Sequence, residues 1–184
     1  DRLHDHERLY RDYFAETPIY PPSVFRRRFR MKRPLFLRIQ SAMETHDPYF
    51  IQKGNDVGTM GLSSLQKITA ALRMLASRVS TDFVDDYVRI DESTAIESLK
   101  KFAKAMVKIF SDEYLRSPNN NDITRLLAIG KQRGFPGMLG SIDCMHWKWK
   151  NYPAAWKGIY SGHVHEPTII LEVMTSYDLW IWHA

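Results

Sequence analysis

The hydrophobic period of this chain changes once, at Gly134-Phe135-Pro136-Gly137. Before that break, apolar residues recur every three or four positions among lysines and arginines. After it, aromatic and β-branched residues gather in short runs. The first period belongs to helices and the second to strands. The expected fold class is therefore α+β, with a helical region over residues 1–135 and a strand-forming part over residues 136–184.

Upstream of the break, DRLHDHERLYRDYFAE (residues 1–16) suits a short helix. TPIYPP, Thr17 to Pro22, ends it, because proline restricts both itself and its predecessor. Ser23 reads as the N-cap of a helix through VFRRRFRM, with Val24, Phe25 and Phe29 on its apolar side. Another helix is expected from Pro34 to about Thr45, where Leu35, Ile39 and Met43 repeat at four-residue spacing with Phe36 beside them. His46 to Gly61 reads as loop. Leu65, Ile68, Leu72, Leu75 and Val79 then form one buried stripe, with Lys67, Arg73 and Arg78 off it. A short segment, Thr81 to Tyr87, separates that helix from a longer one over Glu92 to Phe110. Its Ile96, Leu99, Phe102, Met106 and Ile109 face a core, while Glu97 precedes Lys101 by one favourable helical turn. SPNNND caps a further helix, from Ile123 to about Arg133, that Gly134 closes.

The long–short–long order within residues 63–110 fits a helix-turn-helix, with Lys100, Lys101, Lys104 and Lys108 as candidate DNA contacts. A plain helical bundle kept soluble by its lysines explains the same pattern. The absence of a visible base-reading set favours the bundle. A second basic cluster lies upstream. Thr17 to Met43 holds no acidic residue, yet contains Arg26, Arg27, Arg28, Arg30, Lys32, Arg33 and Arg38. Such a cluster binds phosphate, serves as a nuclear-import signal, or covers a solvated helix face. Arg26, Arg27 and Arg28 join the candidate DNA contacts.

The whole chain carries 26 basic and 21 acidic residues, a balance compatible with nucleic acid. DNA is the expected partner, with a nuclear protein or a second copy of the chain beside it. The lone cysteine, Cys144, excludes an intrachain disulfide and fits a reducing compartment. No run of about 18 apolar residues exists, so no membrane span is expected. Nucleus or cytoplasm is the consistent location. Both ends are expected to be cut, since the chain opens on Asp1 and closes on the strand-like LWIWHA.

Beyond the break, strands are expected at Met138–Trp149, Thr168–Met174 and Leu179–Ala184, the last two as a hairpin. Asp143 stands out in the first strand as a carboxylate in an apolar run. It needs an ion partner, hydrogen bonds or a metal to offset its desolvation. Hard divalent cations such as Mg²⁺ or Mn²⁺ prefer such oxygens, and two of them about 4 Å apart drive phosphodiester cleavage. One carboxylate does not make that site. His146 should point to the opposite face, in a structural role. Cys144 reads as a small buried residue. Trp147, Trp149 and Trp156 interleave with Lys148, Lys150 and Lys157, as a DNA-stacking surface does, although at least two of these tryptophans are expected in a core. Glu172, in an apolar strand, calls for a buried ion pair or hydrogen bond. His163 and His165 are a weak metal signal.

The stretch from Gly134 to Ala184, above all GSIDCMHW and TIILEV…DLWIWHA, resembles the opening of the nuclease domain of PIF/Harbinger-type DDE transposases, the plant transposon protein group. ALRMLASRVSTDFVDDYVRIDESTAIESLKKFAKAM, from Ala71 to Met106, is similar to the segment ahead of that domain. The resemblance implies a ribonuclease-H-like mixed sheet, of which residues 136–184 supply the first three strands, and three acids binding two divalent metals. Asp143 corresponds to the first acid and would be both catalytic and metal-binding. The other two would follow WIWHA, and neither Glu172 nor Asp178 takes their place. The resemblance therefore implies a two-metal DNA nuclease of which this fragment is inactive. The alternative is a domesticated, non-catalytic, nuclear DNA- or chromatin-associated protein.

Overall fold

A computed structural model describes residues 2–54, 58, 60–77, 88–162 and 165–183. They form two compact units, Asp1–Ile109 and Phe110–Ala184. The fold class is α+β, as expected. The helices are α1 (Arg2–Tyr13), α2 (Pro22–Phe29), α3 (Arg33–His46), α4 (Ser64–Ser77), α5 (Glu92–Tyr114) and α6 (Asn120–Gln132). An antiparallel sheet in the order β1 (Ser141–Lys148), β2 (Thr168–Thr175) and β3 (Ile181–His183) follows, with the short helix α7 (Lys157–Tyr160) between its first two strands. The compositional break at residue 135 lies inside the second unit, between α6 and β1.

In the first unit, α4 touches α1, α2 and α3. That central place explains why it is buried on more than one side. Leu65, Ile68 and Leu72 are buried as the stripe requires, but so are Gln66, Thr69 and Arg73. Arg73 was expected off the stripe, and Leu75, expected on it, is exposed. A helix surrounded by three others has no single dry face. Val79, Arg78 and the Thr81–Tyr87 segment lie outside the described residues.

Around α4 the core is aromatic. Tyr13, Phe14, Phe25, Phe29 and Phe36 are all buried. Their rings meet mostly edge to face, for example Tyr13–Phe29 at 5.4 Å and Phe29–Phe36 at 5.3 Å between centroids. Two local expectations change here. Ser23 is not the N-cap of α2, because that helix starts two residues earlier than such a cap would place it, with Pro21 as N-cap and Pro22 at its first position. On α3 the buried stripe is Phe36, Ile39 and Met43, whereas Leu35 is 46% exposed. On α5, Phe102 is buried together with Ala95, Ser98 and Ala105, and Leu99, Met106 and Ile109 pack at the core's edge.

The second unit is built differently. Asn119 caps α6 in a capping box, its side chain accepting from Asp122 N while Asp122 accepts from Asn119 N, both at 3.0 Å. Gly134 leaves the helix at φ 85°, a conformation that glycine adopts without strain. In the sheet that follows, β1 is uncovered and β2 is half-buried at both ends. Every residue of β1 is exposed, and Ile142 and Ile170, on one face, are each 60% exposed. Trp147, on the other face, is 55% exposed. Trp149, Trp156 and Tyr160 gather into an aromatic cluster in the β1–β2 connection, with centroids 5.2–6.1 Å apart. Trp149 is half-buried and Trp156 exposed, so the tryptophans do not form the expected core. Alternation of apolar residues tells which face each occupies, not whether anything covers that face.

Candidate metal and nucleic-acid sites

The pleat sends successive β1 side chains to opposite faces, and the β1–β2 register fixes their neighbours. Asp143 pairs with Val173, flanked by Ser141–Thr175 and Met145–Leu171 on the same face. Cys144–Glu172 and His146–Ile170 occupy the other face, so His146 stands away from Asp143, as alternation requires. Asp143 is exposed to solvent. The desolvation cost expected for its carboxylate does not arise, because the apolar run around it is itself uncovered.

Cys144 is likewise exposed rather than buried, with its sulfur 3.9 Å from Glu172 Oε2. Glu172 also stands 3.8 Å from His183 Nε2. It thus finds partners, but in the open instead of in a buried pair. Among the described residues, no three His, Cys, Asp or Glu side chains are placed to hold a metal ion. His163 lies outside the described residues.

Among the described residues, the candidate DNA-binding cations separate into exposed and engaged groups. Lys100, Lys104 and Lys108 are exposed at four-residue spacing along one side of α5, a row about 12 Å long. Lys101 is engaged. Its ammonium sits 4.0 Å from Glu97 Oε1 and 4.7 Å over the Tyr49 ring. Lys67 lies over the same ring at 4.7 Å and donates to the Tyr49 carbonyl at 2.7 Å. Burial pushes the Lys67 ammonium pKa down, with Lys53 nearby acting in the same direction, and burial pushes the Tyr49 phenol up. On α2, Arg26 and Arg27 are exposed. Arg28 turns inward instead. It stacks over Tyr20 at 4.7 Å and Tyr13 at 5.6 Å and donates to the Tyr13 hydroxyl.

Residues 112–184 match the plant transposon protein family. This match supports a transposon-related protein, and it covers α6 and the whole sheet, Asp143 included. Residues 6–44, which span α1 to α3, match a domain of unknown function, DUF8418. No curated protein and no solved structure matches the chain. Among the described residues, no helix is long and apolar enough to cross a membrane.

Within the transposon-related unit, the β2–β3 turn is held by three arginines that the sequence reading did not single out. Arg125 Nη1 donates to Asp178 Oδ2 at 2.7 Å, Arg133 stacks on Tyr177 at 3.8 Å, and Arg116 stacks on Trp180 at 4.7 Å. The Trp180 indole donates to the Tyr114 carbonyl at 3.1 Å. Hydrogen bonds from Ser176 and Arg125 pull the Asp178 carboxyl down to about 2. Because the folded pKa lies below the ordinary 3.8, this contribution is complete above about pH 4 and is lost as pH falls toward 2. We expect the Trp180 indole N–H resonance to shift across that interval in the wild-type chain and to stay flat in Asp178→Asn. An identical acid shift in both proteins would remove Asp178 from the turn's stability. Asp178 is 42% exposed, so the effect should be local rather than global.

Proposed function

We propose that this chain is a DNA-binding piece of a transposase-derived protein, akin to the PIF/Harbinger-type DDE nucleases, and that it engages DNA without cleaving it. The observation that carries this reading is the match of residues 112–184 to plant transposon proteins, across the strand that bears Asp143. A ribonuclease-H-like sheet opening with antiparallel strands is consistent with β1 to β3.

A DDE centre holds two divalent cations, Mg²⁺ or Mn²⁺, among about three carboxylates. Asp143 fits one of those places in kind, being a solvent-accessible carboxylate on a strand. The set as a whole does not fit. Glu172 lies on the other face, and Asp178 is committed to Arg125 and Ser176. No hydrolytic step is therefore assigned to the described residues. The same isolation of Asp143 favours, as a second reading, a domesticated nuclear DNA- or chromatin-binding role.

Fluorescence anisotropy with a labelled 30-base-pair duplex, run beside a Mg²⁺ or Mn²⁺ nicking assay, tests the proposal. Binding that weakens with salt is expected, with no cleavage and with Asp143→Asn binding as the wild type does. Metal-dependent cleavage that disappears in Asp143→Asn would make the chain a nuclease in its own right. Absence of binding at low salt would overturn the DNA reading.

A further inference from the structure

The basic cluster of Thr17 to Met43 does not spread evenly over the surface. Part of it lines a cavity of about 580 Å³, walled by Tyr13, Tyr20, Ser23, Arg26, Lys32 and Arg33 over the ring of Phe25. None of its lining residues is acidic. Arg28, beside it, is already spent on Tyr13 and Tyr20, and Arg33 reaches the Ala15 carbonyl at 2.9 Å with one of its nitrogens. Among the described residues, Arg26 and Lys32 make no such attachment, and they are exposed at the rim.

The placement of Lys32 and Arg33 is electrostatically unfavourable in the chain alone. They stand at the N-cap and first position of α3, where the helix dipole favours anions, and the first turn holds no acid. Three cations converging on one concavity repel each other as well. Local conflicts of this kind persist where a ligand relieves them. The ligand that fits is a compact, doubly oxygenated anion able to accept from guanidinium, ammonium and hydroxyl donors together.

We infer that this cavity is a phosphate site in which Arg26, Lys32 and Arg33, with the Ser23 hydroxyl, hold a backbone phosphate of duplex DNA. The inference rests on the DNA reading proposed above and gives it a location in the first unit, within the residues matched by the domain of unknown function. Such a contact positions the duplex without reading its sequence. Lys100, Lys104 and Lys108 would add to the general field.

The test compares two double variants of the full chain that remove equal charge. Arg26→Ala/Lys32→Ala empties the cavity rim. Arg27→Ala/Arg30→Gly removes two cations that do not line it, with glycine suited to the left-handed backbone at residue 30, where φ is 58°. Anisotropy with the 30-base-pair duplex is expected to show a loss of about 10- to 100-fold for the first variant and a salt slope reduced by about two. The second should lose about threefold or less. Equal losses in the two variants would overturn the cavity, leaving only a diffuse field. Thermal unfolding with inorganic phosphate separates the two proposals. If the wild type ignores the duplex but phosphate raises its Tm and fails to raise that of Arg26→Ala/Lys32→Ala, the anion site stands and DNA is the wrong source. If neither probe acts on the wild type, both proposals fall.

Discussion

Phe36→Ala is expected to destabilise the first unit by about 3–5 kcal/mol, a large loss for a single truncation. Phe36 is fully buried and its ring meets Phe14 at 4.8 Å, Phe29 at 5.3 Å and Phe25 at 6.0 Å. Removing it deletes two edge-to-face contacts and one tilted contact and leaves a cavity that three other rings cannot fill together. Leu35→Ala, one residue away on the exposed side of α3, is expected to change stability by less than about 1 kcal/mol. Urea unfolding followed by circular dichroism measures both. Should the Phe36 variant be too unstable to purify, Phe36→Leu is expected to fall between the two. A Leu35 variant as damaging as the Phe36 variant would mean that the helix presents a different face.

That pair of neighbours illustrates what sequence periodicity resolves. Leu35–Ile39–Met43 and Phe36–Ile39–Met43 both satisfy a 3.6-residue period, and only packing against Phe14, Phe25 and Phe29 selects the second. The existence of α1 to α6 was legible in the sequence, α6 starting three residues before its expected Ile123, whereas the short α7, in what reads as a connection, was not. The surroundings of a helix were not. Arg73 lies on the polar side of a one-faced helix, yet α4 has neighbours on several sides, so the arginine is buried.

The candidate site divides along the same line. Alternation correctly puts Asp143 and His146 on opposite faces, because that depends on local geometry alone. The expected burial of Asp143, Cys144 and the tryptophans depended on coverage of the sheet, and coverage is a tertiary property that no strand pattern encodes. The arginine clamp on the β2–β3 turn was invisible for a related reason. Arg125 on α6, Arg133 at its C-cap and Arg116 in the connection before it are ordinary surface residues until Asp178, Tyr177 and Trp180 are brought to them. In the basic segment the sequence did carry the signal, since an acid-free run of seven cations is unusual whatever its fold. What it lacked was the distinction between Arg28, turned onto two tyrosines, and Arg26 and Lys32 at the mouth of a cavity.

Gly140→Ala is expected to disrupt the start of the sheet, at a cost of about 1–3 kcal/mol within the second unit. A Cβ built on Gly140 would overlap the Thr175 carbonyl oxygen and stand 3.0 Å from its carbon and 3.4 Å from Ser176 N. All three atoms are backbone, so no side-chain rotation can relieve the clash. The next residue, Ser141, pairs with Thr175 and begins the register that fixes Asp143 opposite Val173. Relief therefore requires the β1–β2 ladder to part at this end, and the β2–β3 bulge at Met174/Thr175 offers the adjacent place for the chain to give. Hydrogen exchange should show faster opening of the amides from Ser141 to Asp143 and around Thr175, while the amides of α2 to α4 keep their wild-type rates. Gly158→Ala, where an added Cβ meets nothing within 4 Å, serves as the comparator and should leave the ladder protected. Equal protection in Gly140→Ala and the wild type would mean that the ladder accommodates the methyl group. In that case the glycine would not be what sets the approach of β1 to the β2–β3 turn.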